Sequence, residues 1–147
     1  MQRNLIKTAA ALLAGSTLAL AWSAPVFAFT LAEVEARYTD AYKTCPGFAS
    51  GVDPEMLSCI SAEFEVQDKR LNAAYARALA ALPASRKASL RQAQRTWIAY
   101  RDQWCDITYD RDSGSAERLG ANSCGLAETI LQTLKLEELA EYAEANR

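Results

Sequence analysis

From Ile60 onward, apolar positions recur at three- and four-residue steps. Ile60, Phe64, Leu71, Tyr75, Ala78 and Leu82 follow this spacing, and Asp68 falls among them. Such steps put all seven residues on one face of a helix. Leu90, Gln94, Trp97, Arg101 and Cys105 repeat the pattern downstream. Between the two runs stands "LPASRK", where Pro83 ends one helix and Ser85 can cap the next. Asp53-Pro54 supplies an N-cap oxygen and then a proline at the first helical position. The first long helix is therefore expected over about 54–82 and the second over about 85–110. "DRDSGS" marks the next turn, and a third long helix should follow over about 116–143.

Upstream, Thr30 and Glu33 have the spacing of a capping box, which opens a short helix through "LAEVEARYTDAYKT". "CPGFASGVD" reads as loop, with Pro46, Gly47 and Gly51 as breakers. Val/Ile alternation is absent, and the remainder is rich in the good helix formers Ala, Leu, Glu, Arg and Gln. The expected fold class is all-α, a small disulfide-braced helical bundle built on a long antiparallel hairpin.

Folding the hairpin at Pro83–Ala84 pairs positions whose numbers sum to about 167. Asp68 then comes within a turn of Arg101, and Asn72 comes next to Gln94. A buried charge needs a partner, and an Asp–Arg pair can join through two parallel hydrogen bonds. Asp68, Asn72, Gln94 and Arg101 are thus expected to form a structural polar network. Phe64, Leu71, Tyr75 and Trp97 should be the apolar core around it. On this reading "QRTWIAYRDQWC", residues 94–105, is the inside of the hairpin.

The two ends of the chain bear on compartment. Arg3 and Lys7 form a basic start with no acidic residue before Glu33, and an apolar run follows. Val26 and Ala28 then fit an A-x-A-like cleavage site, so residues 1–28 are expected to be a signal peptide cut after Ala28. Gly15, Ser16 and Thr17 interrupt the run, which is shorter than the ~20 residues of a membrane span. Removing 28 residues from 147 leaves 119, enough for one small domain over 29–147. Without Arg3 and Lys7, 14 of the 16 basic side chains remain against 18 acidic ones, a net charge of −4. That balance gives no pull toward nucleic acid and favours cationic protein partners.

Cys45, Cys59, Cys105 and Cys124 all lie beyond the expected cut. An even count at wide spacing in an exported chain reads as two disulfides. Cys59 precedes Asp68 by nine residues, about 180° around the helix, so it should point toward the loop that holds Cys45. Cys105 and Cys124 flank the turn between the second and third long helices. The pairs Cys45–Cys59 and Cys105–Cys124 are favoured over the other two connectivities.

Candidate chemistry is sparse. The chain has no histidine, which excludes His-dependent triads, and it has no C-x-x-C pair for zinc. Glu63, Glu65 and Asp68 share one helix, with no second carboxylate cluster predicted to face them across a cleft. Asp106, Asp110 and Asp112 look like a calcium loop at first, but Gly114 is misplaced and the closing Glu is missing. No metal, no cofactor and no enzymatic activity are expected. The three aspartates are instead a candidate partner-binding turn, weighed against a plain solvated loop. Arg86, Lys87, Arg91 and Arg95 read as a solvated basic helix face.

Taken together, Cys59, Asp68, Leu71, Asn72, Tyr75, Gln94, Trp97, Arg101 and Cys105 have the order and spacing of a known pattern. Cys45 before them and Cys124 with Thr129 after them fit as well. Over about residues 45–139 the chain resembles the lysozyme-inhibitor LprI-like N-terminal domain family. The resemblance implies a small exported bacterial protein whose partner is lysozyme. It departs at Gln132, where relatives often have Arg, and in lacking the cysteine that anchors the lipoprotein namesake. The expected function is a periplasmic or secreted protein that binds and inhibits lysozyme-type muramidases, with no membrane anchor after signal cleavage. The alternative is an interaction or structural module for another envelope protein.

Overall fold

The computed structural model describes residues 29–146, so the expected signal segment lies outside the described residues. Six helices follow in order: α1 Leu31–Arg37, α2 Asp40–Lys43, α3 Pro46–Ser50, α4 Asp53–Ala81, α5 Ala84–Thr108 and α6 Ser115–Ala145. No strand occurs among the described residues, and the fold is an all-α bundle. The three long helices fall within two residues of the expected bounds at each end.

Thr30 and Glu33 form the capping box. Glu33 N–H donates to Thr30 Oγ1 at 3.3 Å, and Thr30 N–H donates to Glu33 Oε2 at 2.6 Å. The helix this opens is shorter than expected. Tyr38 is extended, and Thr39 re-caps the chain into α2, accepting from Tyr42 N–H at 3.1 Å. A buried acceptor explains the break: Thr39 N–H donates to Glu63 Oε1 of α4 at 3.0 Å, and its hydroxyl donates to Glu63 Oε2.

The expected loop after Cys45 also needs correcting. Pro46 sits at the first position of α3, where its missing N–H costs nothing, and Gly51 ends the helix at φ 66°. Gly47 is required for a different reason. A Cβ there would lie 2.5 Å from the Glu55 carbonyl oxygen and 2.8 Å from Cys59 Sγ. The caps of α4 and α5 are Val52 and Pro83, not Asp53 and Ser85, and neither makes a side-chain cap bond.

Packing is organised around α6. Helix α4 runs along α6, while α5 rests on α6 and keeps its backbone away from α4 beyond the turn they share. The buried line on α4 includes Ile60, Glu63, Gln67, Leu71, Ala74, Ala78 and Ala81. Alanines let two helix axes approach closely. Leu71, Ala74, Ala78 and Leu82 accordingly pack with Leu136 and Ala140 of α6, and Leu90 of α5 closes the cluster. A second cluster docks α1 on α6 through Val34, Ile130 and Leu134. Arg37 and Glu137 join the same two helices through paired hydrogen bonds of 3.1 and 2.5 Å.

Candidate functional site

The disulfides are Cys45–Cys59, with Cα atoms 6.1 Å apart, and Cys105–Cys124, with Cα atoms 5.7 Å apart. The first ties α3 to the start of α4, and the second ties the end of α5 to α6. Helices α4 and α5 both pack on α6, and beyond their shared turn they meet through side chains such as Arg101 over Phe64. A groove of about 410 Å³ opens there, within the ~300–1,000 Å³ typical of ligand pockets.

All four residues of the expected polar network line this groove, yet they do not join across it. Asp68 is exposed, and Asn72 Nδ2 donates to both its carbonyl and its Oδ2 at 2.9 Å, one turn along the same helix. Arg101 donates from Nε to Asp102 Oδ1 at 2.9 Å and from Nη1 to Thr129 Oγ1 of α6 at 3.3 Å. Its guanidinium lies over the Trp97 and Phe64 rings, 5.1 and 5.7 Å from their centroids. The Asp68–Arg101 and Asn72–Gln94 pairs are therefore corrected. The reason is rotational: α4 gives its Glu63–Gln67–Ala74 line to α6 and to the Arg37–Thr39 junction between α1 and α2, which leaves Asp68 and Asn72 on the rim.

The expected hairpin core divides similarly. Leu71 is buried, Tyr75 and Trp97 pack against its cluster while partly open, and Phe64 sits half-buried beneath Arg101. Two donors beside the groove, Gln94 Nε2 and Trp97 Nε1, are buried with no acceptor among the described residues. Arg91, Arg95 and Arg101 also line it, against the single carboxylate of Asp68. Such a wall suits a group rich in acceptors.

The acidic turn between α5 and α6 is exposed at Asp106, Asp110 and Asp112. Asp106 is already paired with Arg111 at 2.5 Å. Asp110 accepts from the Ser113 hydroxyl and from Asp112 N–H at 3.1 Å, and these bonds hold its carboxyl below the usual range. Among the described residues, Asp112 is the member of the trio whose carboxylate makes no bond. In the acidic stretch of α6, Glu137 pairs with Arg37, and Glu141 and Glu144 pair with Arg77.

Sequence reasoning missed the centre formed by Glu63. This carboxylate is buried and accepts from Thr39 and from Gln67 Nε2 at 2.6 Å; Gln67 also donates to Arg37 O at 2.8 Å. A visible sign existed in "TDAY", an N-cap residue in mid-segment, and in Glu63 and Gln67 one helical turn apart. Beside them, burial pushes the Tyr38 hydroxyl up to about 12, with the negative charges of Tyr42 and Glu63 adding to the effect.

No group of three or more His, Cys, Asp or Glu among the described residues could hold a metal ion. None of their helices is long and apolar enough to cross a membrane. The chain is 31% identical over 100 residues to an uncharacterised protein of Rhizobium meliloti (strain 1021), covering 58% of this chain and 72% of that one. No solved structure matches it. The model of the family described as lysozyme inhibitor LprI matches residues 45–136, from the first disulfide cysteine to about two-thirds of the way along α6. The chain belongs to that family.

Proposed function

We propose that this protein is exported, loses residues 1–28, and binds and inhibits lysozyme-type muramidases in the periplasm or outside the cell. Membership of the lysozyme inhibitor LprI family is the observation that carries this reading. Two disulfides support an oxidising compartment. Inhibition would act by occlusion, without catalysis by this chain. Animal lysozymes are generally basic, so an acidic partner meets them faster, and the encounter weakens with salt.

The acidic turn is the proposed contact. It stands beside the Cys105–Cys124 bridge, and a braced turn loses little entropy on docking. Purified protein beginning at Phe29 should slow lysis of bacterial cell walls by lysozyme in a dose-dependent way, less so at high salt. Full lysozyme activity at about a hundredfold molar excess of the protein, in low salt, removes the reading for that enzyme.

A further inference from the structure

Helix α5 has a flank that the fold leaves uncovered. Tyr100, Trp104 and Ile107 are 52%, 47% and 81% exposed, and the first two rings stack 6.2 Å apart. At 100° per residue, Ser89, Ala93 and Thr96 extend the same flank toward the start of the helix. Beyond the first turn, Arg91, Arg95, Asp102 and Asp106 occupy the opposite arc and Arg101 faces the groove, so from Ser89 to Ile107 the flank carries no charge. Depletion of charge with exposed aromatic rings characterises the centre of protein interfaces.

We propose that this flank is the contact between two copies of the chain, with the two α5 helices antiparallel about a two-fold axis near Thr96. Size grades along the flank. Its first half is small, at Ser89 and Ala93, and its second half is bulky, at Tyr100, Trp104 and Ile107. Over the small half lies a hollow of about 770 Å³, walled on its far side by Lys135 of α6. An antiparallel copy places Tyr100 opposite Ala93 and Trp104 opposite Ser89, so these two rings of each copy enter the other copy's hollow, while Ile107 comes opposite Arg86. Only self-complementary surfaces close a two-fold dimer, and a knob and a hollow on one helix face meet that requirement.

Charge agrees with this occupant. Between Ser89 and Trp104 the paired flanks bring no charged α5 residue together, so they meet without repulsion even though the chain as a whole is acidic, whereas they offer nothing to a basic partner. Lys135 presents a cation and an apolar stem to the incoming indole, a favourable pairing. The flank is about 28 Å long, and a helix pair of that length buries an area at the low end of specific interfaces. The dimer should therefore be weak, dissociating in the micromolar range.

The test is sedimentation equilibrium on the chain from Phe29, with both disulfides formed, from about 1 to 500 μM. The mass should rise from one chain to two across that range. Trp104→Glu removes the knob, and Ala93→Trp fills the hollow at an exposed helical position. Each should raise the dissociation constant at least about tenfold with helicity unchanged. Arg95→Glu, on the charged arc, should leave it unchanged. If Trp104→Glu fails to fold, Ala93→Trp decides alone. A single-chain mass at every concentration, or a dimer that Ala93→Trp leaves intact, overturns the proposal. So does a monomer whose lysozyme inhibition is lost in Ala93→Trp, which would give the flank to the enzyme.

Discussion

Arg101 of α5 donates to the hydroxyl of Thr129 on α6, and Thr129 passes its own proton donor to the Gly125 carbonyl at 2.7 Å. The arginine therefore fastens α5 to the central helix, and Asp68 plays no part in holding it. Arg101→Ala should destabilise by about 1–3 kcal/mol through lost ring contacts and the unpaired Thr129 side. Asp68→Asn should cost about 0.5 kcal/mol or less, as for an exposed side chain. Urea melts of both variants check the difference. Equal losses would restore a direct role for Asp68.

The Glu63 carboxylate is the more sensitive position. Glu63→Ala strips the acceptor from Thr39 N–H, the Thr39 hydroxyl and Gln67 together, in a site that water does not reach. A loss of about 2–4 kcal/mol is expected, because buried donors left without partners carry their full desolvation cost. The α1–α2 segment should loosen first, so amide exchange at Thr39 and Tyr42 should accelerate more than at Leu71. Uniform acceleration along the chain would argue that Glu63 holds α4 and not the segment before it.

What was legible in the sequence was mostly local or covalent. Pro83, the Thr30–Glu33 box and the positions of the breakers act within a few residues, so the long helices could be read to within two residues. The disulfides followed because a helical wheel leaves Cys59 only one direction to point. The faces were harder. On α4 two overlapping lines share Ile60, Leu71 and Ala78, and hydrophobicity alone favoured the one through Phe64 and Tyr75. Close approach of backbones over Ala74 and Ala81 decided for the other, and that depends on α6. Tyr100 and Trp104 read as interior by residue type, yet α5 has one covered side and they stand next to it.

Tyr38 makes the alkaline limb of stability readable. Its hydroxyl ionises at about 12 in the folded chain against an ordinary value of 10.0, because burial penalises the charged form. A raised value means that the unfolded chain gives up this proton first. The stabilisation is therefore intact below pH 10 and is lost between about pH 10 and 12 as unfolded Tyr38 ionises. Tyr42, also raised by burial, contributes in the same direction. Thermal midpoints across that range should fall more steeply for the native chain than for Tyr38→Phe. Parallel curves would place the tyrosine in water.

Tyr109, which ends α5, lays its ring across Gly120 of α6 so closely that a Cβ at Gly120 would overlap ring carbons. Gly120→Ala should cost about 1–3 kcal/mol despite the better helix propensity of alanine, as overpacking usually does. Tyr109→Ala alone should also destabilise. In the double variant the clash is gone, so the two losses should sum to clearly more than the combined effect. Additive losses in a denaturant cycle would show that the ring is free to move aside.

The acidic turn can be tested without disturbing the fold, provided the right carboxylate is chosen. Asp110 is a poor choice. Its bonds to Ser113 and to Asp112 N–H shape the turn, and its lowered ionisation means it stabilises above the ordinary carboxyl range and ceases to as pH falls through its folded value. Asp106 is held by Arg111. Asp112 is the clean probe: Asp112→Lys should leave the thermal midpoint within about 2 °C, since an exposed turn position rarely matters to stability. If the turn meets a basic muramidase, the same change should weaken inhibition severalfold at low salt, and the gap from the native protein should narrow as salt rises. Asp106→Asn releases Arg111 toward the partner and should weaken inhibition further. Undiminished inhibition by both folded variants would move the contact from this turn to the groove between α4 and α5, where Gln94→Ala and Arg91→Ala become the next substitutions to measure.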